Sequence, residues 1–335
     1  MAERHPVLVT RRLPPRPMEL LHDRTEADVW EGEGAMDRDQ LLDRIRGKRG
    51  AITLLTDKVD AEFLDAAGPG LAIVANYAVG FDNVDVPECT RRGVPVSNTP
   101  EVLTETTADT AWSLLMAAAR RVPEGDRFLR SGTPWIWGPE MMLGRDVHGK
   151  VLGIVGFGRI GQAVARRGSG FGMRAVYFDV VRPPESVERE TGAGYRDFDV
   201  LLEEADFISV HVALTPETRH LFGAGQFRRM KETAVLVNTS RGPVIDEAAL
   251  AEALAAGEIF AAGLDVFENE PEVHPKLLEL DNAVVIPHLG SATVETRDAM
   301  GFLAVENLLK ALEGSRPPTL VNPEVWASKG GVGDG

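Results

Sequence analysis

The sequence predicts an α/β protein built from two doubly wound parallel-sheet domains, a discontinuous flavodoxin-like substrate domain and a Rossmann dinucleotide-binding domain. Two observations predict it. Short apolar runs alternate with helical patterns along the whole chain, and a glycine fingerprint at 156–161 sits between one such run and a helix. At 335 residues and 44% hydrophobic content, the chain is long enough for two cored domains, and two domains imply a cleft.

In the first block, residues 7–10, 51–55, 71–76 and 94–97 read as strands of an open sheet, which ends near Asn98, Thr99 and Pro100. A helical stretch over 101–120 follows, then a loop holding Trp135 and Trp137. A second sheet starts at 151–157 and continues through 175–179, 207–212, 234–238, 261–266 and 283–286. Within it the helix 246–256 has Asp246 to cap its first amides and Gly257 at its stop. The last helical segment, 291–312, comes after this sheet has finished and is expected to complete the first domain. The boundaries are therefore 1–99 with 290–325 for the substrate domain, 100–289 for the dinucleotide-binding domain, and 326–335 as a disordered tail.

Charge and composition exclude several partners. Fifty-one acidic against 36 basic side chains leave a net charge of −15, which argues against a nucleic-acid or anionic-membrane surface, though a small anionic substrate still needs a local basic pocket. No apolar run is long enough to span a bilayer, and the N-terminus lacks the stretch of a signal peptide, so the expected location is the cytoplasm. The single cysteine, Cys89, rules out an intramolecular disulfide and a cysteine-based zinc cluster. No histidine pair has zinc-like spacing, so no metal is expected.

The fingerprint Gly156-Phe157-Gly158-Arg159-Ile160-Gly161 follows the strand Val151-Leu152-Gly153-Ile154-Val155 and opens a helix. In that context Gly156 permits the tight turn, Gly158 lets backbone amides approach a pyrophosphate, and Gly161 lets helix pack closely on strand. Asp179 ends the next strand, at the distance expected of the carboxylate that accepts from the adenine ribose and repels a 2′-phosphate; this favours NAD, with NADH preferred over NADPH. Arg182 nearby is a potential phosphate partner that softens the preference.

Arg241, Glu270 and His288 each follow a buried strand of the second sheet, at the edge where an open α/β sheet places its ligands. Reduction of a 2-oxo acid needs a cation for the carboxylate, a donor to the carbonyl, and an acid for the developing alkoxide. An arginine fork suits the first two. His288 gives a proton in reduction and takes one in oxidation, with Glu270 orienting its ring and favouring the imidazolium. Each residue alone has a bland alternative, as a surface arginine or a loop glutamate, and His211 reads as a packing residue bordering the cofactor.

These segments together resemble the D-isomer-specific 2-hydroxyacid dehydrogenase family over essentially residues 5–325. The resemblance rests on Ala75-Asn76-Tyr77-Ala78-Val79-Gly80-Phe81-Asp82-Asn83, the fingerprint, Asn238-Thr239-Ser240-Arg241-Gly242, Gly263-Leu264-Asp265-Val266-Phe267 and Pro287-His288-Leu289-Gly290. It implies Arg241, Glu270 and His288 as the catalytic residues, and Leu55, Asn76 and the amides of Val79 and Gly80, with Arg241, as the substrate site. It implies Thr104, Gly156, Gly158, Arg159, Ile160, Gly161, Asp179, Thr239, Ser240, Asp265, His288 and Gly290 around the cofactor. Within the family the chain is most similar to glyoxylate and hydroxypyruvate reductases, judged on 75–83, Asp126-Arg127-Phe128, Arg130-Ser131-Gly132 and Pro317-Pro318-Thr319-Leu320-Val321-Asn322. The resemblance further implies closure over the bound acid, hydride from nicotinamide C4 and a proton from His288, and a homodimer through the cofactor domain, with Trp135 and Trp137 reaching toward the partner's site. Ala213 departs from the proline that many relatives carry there. The alternatives are a non-catalytic NAD(H)-sensing, corepressor-like protein, or a D-lactate, phosphoglycerate or formate-type dehydrogenase on the same fold.

Overall fold

The computed structural model describes residues 4–328. The chain divides into two compact units, one holding the chain up to Leu103 and again from Ala292, the other spanning Thr104–Ser291.

The first unit is a five-stranded sheet of β1 (His5–Val9), β2 (Thr25–Val29), β3 (Gly50–Thr53), β4 (Ile73–Asn76) and β5 (Val96–Ser97). Its order is β2-β1-β3-β4-β5 and every pairing is parallel, the flavodoxin-like arrangement. Strands β3 and β4 are buried at every residue, as parallel strands covered on both faces must be. The helix Val294–Leu312 lies on β3 and β4 and against the helix Pro15–Arg24. Gly301 makes that approach possible, since a Cβ there would stand 2.5 Å from Cγ of Pro17.

The second unit holds β6 (Val151–Val155), β7 (Arg174–Phe178), β8 (Gly194–Tyr195), β9 (Phe207–Val210), β10 (Val235–Asn238), β11 (Ala261–Leu264) and β12 (Ala283–Val285). The order β12-β11-β10-β9-β6-β7-β8, again all parallel, reverses direction between β6 and β9. That reversal is the topological switch point of a Rossmann sheet. Alternate residues of its strands feed two cores. Leu236 packs with Leu201, Phe227 and Leu250 on one face, and Val235 and Val237 pack with Trp112, Leu115 and Val164 on the other. Among the described residues no helix is long and apolar enough to cross a membrane.

Expected elements and observed ones agree in kind, with shifted ends. The helix 246–256 is Glu247–Ala256, with Asp246 Oδ1 accepting from the Ala249 amide at 2.9 Å and Gly257 closing it at φ 72°. The helix expected from Glu101 begins at Thr104, and the one expected from Ser291 begins at Val294, where Thr293 caps it. Strands β2 and β8 add to the expected set: Thr25–Val29 is an edge strand interrupted by Glu26 and Asp28, and β8 has two residues, so neither shows an apolar period.

The expected tail 326–335 needs correcting at its start, because the helix Glu324–Ser328 includes its first three residues; 329–335 lie outside the described residues. The anchor is Asn322, almost fully buried, whose Oδ1 accepts from the Val96 amide at 2.8 Å while Nδ2 donates to Val94 O and Thr90 Oγ1. Val325 is buried just beyond it. Asn322→Ala leaves the buried Val96 amide of β5 and the Val94 carbonyl before it without their partner, at a cost of about 1–3 kcal/mol. The expected result is a thermal midpoint lower by roughly 2–10 °C; an unchanged midpoint in scanning calorimetry would refute this anchoring.

Candidate active site

In the first unit, the loop after β4 presents two amides. Asn76 is fully buried; its Nδ2 donates to Gly80 O at 3.0 Å, and its Oδ1 accepts from Thr53 Oγ1 at 3.1 Å. Asn98 Nδ2 donates to Val79 O at 2.8 Å, and the Thr99 amide to Ala78 O at 2.8 Å. The carbonyls of Ala78, Val79 and Gly80 are thus each taken by a donor. Among the described residues no acceptor pairs with the amides of Val79 and Gly80. Two adjacent amides of this kind are able to hold an anion.

Asn83 ties that loop to the turn carrying Leu55: its Nδ2 donates to Leu54 O and Asp57 O, both at 2.9 Å, and to Asn76 Oδ1 at 3.2 Å. Asp57 closes the same turn, its Oδ2 accepting from the Leu54 amide at 2.7 Å and from Thr10 Oγ1. Burial pushes the Asp57 carboxyl up, against those two hydrogen bonds and the charge of Arg11, which pull it down. Sequence reasoning does not single out Asn83 and Asn98. Both lie within or beside quoted segments, but only the backbone trace reveals that their amides brace carbonyls.

In the second unit, β10, β11 and β12 are neighbours, and Arg241, Glu270 and His288 follow them in that order along one edge. The turn at Arg241 is shaped by Asn238, whose Oδ1 accepts from the Ser240 amide and hydroxyl at 3.0 and 2.7 Å and whose Nδ2 donates to Arg241 O at 3.0 Å. Glu270 Oε1 accepts from the Phe267 amide at 3.0 Å, and Oε2 faces His288 Nδ1 at 2.8 Å. Partial burial works against the charged form of Glu270, yet the hydrogen bond from His288, together with the charges of His288 and Arg241, holds its carboxyl below the usual value. With Nδ1 on Glu270, Nε2 is the nitrogen left for chemistry.

His288 itself stands at φ 51°, in the left-handed region. Its amide donates to Asp265 O at 2.9 Å, and the Asp265 carboxylate accepts from the amides of Leu289 and Gly290 at 2.5 and 2.8 Å. Asp265 is buried at the end of β11, and that burial pushes its carboxyl up against the amides and the His288 charge that favour ionisation. A Cβ at Gly290 would stand 2.9 Å from Asp265 Oδ2, so this turn needs its glycine.

Across the switch point, the fingerprint glycines divide by role. Gly156 has φ 94°, and a Cβ there would meet the backbone of His211 at 2.6 Å; a Cβ at Gly161 would collide with Gly156 O. Both are demanded by the fold. Gly158 has nothing within 4 Å of where its Cβ would be and an ordinary φ of −70°, so its missing side chain keeps a space open rather than relieving a clash. No side chain caps the helix Arg159–Ser169 that starts there. An anion is the natural partner of such a helix end. Asp179 Oδ2 accepts from the Phe157 amide at 2.6 Å and Oδ1 from the Val181 amide at 3.1 Å. Thr239 Oγ1 is buried without a protein partner. An open cradle, an uncapped helix and an orphaned hydroxyl fit a dinucleotide. His211, by contrast, bonds Ser209 Oγ at 2.7 Å, and burial drives its pKa down to about 3, so it stays neutral.

Residues 112–290 match the family described as D-isomer specific 2-hydroxyacid dehydrogenase, NAD binding domain. A glyoxylate reductase of Korarchaeum cryptofilum is 53% identical over 323 residues, covering 95% of this chain and 96% of that protein. The crystal structure of a Thermus thermophilus protein superposes with a TM-score of 0.88 at 45% identity, covering 94% of this chain and 99% of that one. An NADPH-dependent glyoxylate/hydroxypyruvate reductase of Sinorhizobium meliloti, solved with NADP and malonate, gives a TM-score of 0.82 at 35% identity, covering 95% of this chain and 97% of that one.

The two kinds of glycine make opposite predictions. Gly158→Ala leaves the thermal midpoint unchanged and weakens dinucleotide binding by about tenfold or more, as a methyl in the cradle must, while Gly161→Ala lowers the midpoint by forcing helix from strand. Calorimetric titration beside thermal melting checks both; a Gly158→Ala protein that binds as the parent does would remove the cradle from the site.

Proposed function

The chain belongs to the D-isomer-specific 2-hydroxyacid dehydrogenase family, and from that premise we propose that it reduces glyoxylate or hydroxypyruvate to the D-2-hydroxy acid with NADH. It is an oxidoreductase acting on a CH–OH group. The observation that carries the reading is the His288 Nδ1–Glu270 Oε2 contact of 2.8 Å on the edge that also presents Arg241. When bound, the nicotinamide supplies or takes up the hydride.

The chain's own residues account for the rest. The Arg241 guanidinium holds the substrate carboxylate and polarises the carbonyl. Glu270 fixes the Nδ1–H tautomer and stabilises the imidazolium, so that His288 Nε2 delivers the proton to the carbonyl oxygen in reduction and recovers it in oxidation. Afterwards His288 is neutral and still donates through Nδ1 to Glu270.

The preference for NADH rests on Asp179 and Arg182. Both Asp179 oxygens are held by backbone amides, which fixes the carboxylate, and each oxygen keeps a lone pair for a ribose hydroxyl. A 2′-phosphate would meet that fixed negative charge. Arg182, the potential phosphate partner, pairs with Glu188 Oε1 at 2.9 Å and lies 4.7 Å over the Tyr195 ring. Recruiting it would cost both contacts.

The homodimer is proposed on an apolar surface. The helix Val122–Arg130 buries no residue, and Ile136 and Trp137 are 92% and 76% exposed beside exposed Trp135 and Leu143. A contiguous run of this kind marks an association surface, and the partner fitting it is a second copy. A cytoplasmic setting is consistent with one buried cysteine whose thiol burial pushes up to about 12.

Purified protein should consume NADH on addition of glyoxylate or hydroxypyruvate and use NADPH at least about tenfold less efficiently, a difference of ~1.4 kcal/mol. His288→Ala should lower the rate by roughly 10²–10⁴, and Asp179→Ser should narrow the gap between cofactors. NADH binding without turnover of any 2-oxo acid would sink the reductase and leave the NAD(H) sensor. For assembly, Trp137→Glu should shift sedimentation equilibrium toward the monomer; an unaltered mass would remove this surface from the dimer.

A further inference from the structure

Glu270 stands on the loop 268–274, which leads from beyond β11 to the helix Pro275–Glu279 and holds no helix or strand, only a turn closed by the Glu272 amide on Asn269 O at 2.9 Å. A loop in that position needs something to fix it, because 2.8 Å between Glu270 and His288 tolerates little drift. The two ends of the loop are held by one side chain. Glu247, the first residue of the helix Glu247–Ala256, is buried, and its Oε1 accepts from the Glu268 amide while its Oε2 accepts from the His274 amide at 3.1 Å. The closure is reciprocal, since Glu268 Oε2 accepts from the Glu247 amide at 3.1 Å. Glu268 Oε1 in turn meets His220 Nε2 at 2.5 Å.

A second contact joins this loop to the turn of Arg241. Gly242, next to Arg241, lies so close to the Phe267–Glu268 peptide that any Cβ would collide with it. Residues before and after Glu270 are thus pinned to one helix start and to the arginine turn, and Phe267 closes the set by donating its amide to Glu270 Oε1 at 3.0 Å.

We propose that Glu247 is a positioning residue for the reaction: by clamping both ends of the loop 268–274 through backbone amides, it sets where Glu270 stands against His288. The inference rests on the reading of His288 as the acid/base residue. Both carboxylate oxygens of Glu247 are taken by the amides of Glu268 and His274, so it acts through the loop. A carboxylate suits the task because it accepts two amides at once; the isosteric glutamine turns a donor toward one of them and loses that bond.

The test compares the parent with Glu247→Gln, Glu270→Gln and the double variant, all as dinucleotide-bound full chains, and follows two readouts. The first is the pH profile of kcat/KM for glyoxylate reduction. The second is the titration of the His288 ring by carbon-13 NMR, its resonance identified as the one missing from His288→Gln. The charged and titratable groups facing His288 are Glu270, Asp265 and, through Glu270, Arg241. Displacing Glu270 weakens support for the imidazolium, so His288 gives up its proton at lower pH. Both the ring titration and the alkaline limb of reduction should then move down, by a few tenths to about one pH unit.

Glu247→Gln should also lower kcat by about tenfold with KM changed less than about twofold, the pattern of an interaction made in the transition state. Added to Glu270→Gln it should produce no further movement of the titration. An unmoved His288 titration in Glu247→Gln, or a shift that adds fully to that of Glu270→Gln, overturns the proposal. If Glu247→Gln does not fold, His274→Pro decides, because His274 sits at φ −54°, where proline fits, and the change removes the amide that donates to Glu247 Oε2 together with an imidazole whose buried Nδ1 has no hydrogen-bond partner. It should shift the titration in the same direction by less; no shift overturns the proposal. Should the parent bind NADH and turn over no acid, the reductase reading fails while the ring titration still decides the clamp.

Discussion

The hydrogen bond between His288 Nδ1 and Glu270 Oε2 is the contact around which the second unit is organised. Neither partner lies in a helix or strand, and each is brought to the edge by a different strand, β12 and β11. Parallel pairing puts the ends of these strands side by side, but it does not aim the side chains. The aim comes from the loops: a left-handed turn at His288, a peptide amide on Glu270, and a buried aspartate between the two strands. The sheet therefore supplies proximity to within a few residues, and side chain to backbone hydrogen bonds supply the remaining ångström.

One device recurs wherever this protein needs a loop in a fixed place, namely a carboxylate or carboxamide that accepts or donates to main chain. Asp265 shapes the turn of His288, Glu247 closes the loop of Glu270, Asn238 folds the turn of Arg241, and Asp179 secures the fingerprint turn. In the first unit Asp57, Asn76, Asn83 and Asn98 do the same around Val79 and Gly80. Part of the surplus of acidic residues is thus committed to backbone amides rather than displayed as free charge. This matters for a protein of net charge −15 that handles an anionic acid, because long-range attraction is unfavourable and capture must rely on short-range donors.

What could be read from the sequence follows the same division. The apolar runs of β6, β9, β10 and β11 are legible because strands buried on both faces tolerate only apolar residues, and the fingerprint is legible because Gly156 and Gly161 have no alternative. Arg241, Glu270 and His288 stand out in the sequence as strand-end polar residues and by family resemblance, and the structure brings all three to one edge of the second sheet. The edge strands β2 and β8 were hidden because an edge need not be apolar on both faces. Glu247 was hidden for a different reason: it looks like any acidic residue in the first turn of a helix, where the dipole already favours it, so its second role as a clamp leaves no separate mark. The helix Glu324–Ser328 was masked by the polar, glycine-rich residues after it, while its anchor, Asn322, is a single buried side chain.

The strength of the His288–Glu270 pair is itself a compromise. In the role proposed for His288, which works in both directions, a partner that held the proton too firmly would bring no gain. The depressed Glu270 carboxyl marks a favourable interaction, present above the ordinary glutamate range and lost as pH falls through its lowered folded value. Both side chains nevertheless remain about one-third exposed, so water screens the attraction. Full burial would strengthen the pair and would also strand two charges whenever the ring is neutral or the carboxyl protonated. Holding Glu270 by its loop rather than by burying it gives orientation without that penalty, and for that reason the rigidity of the site has to come from amides and clamps outside the pair.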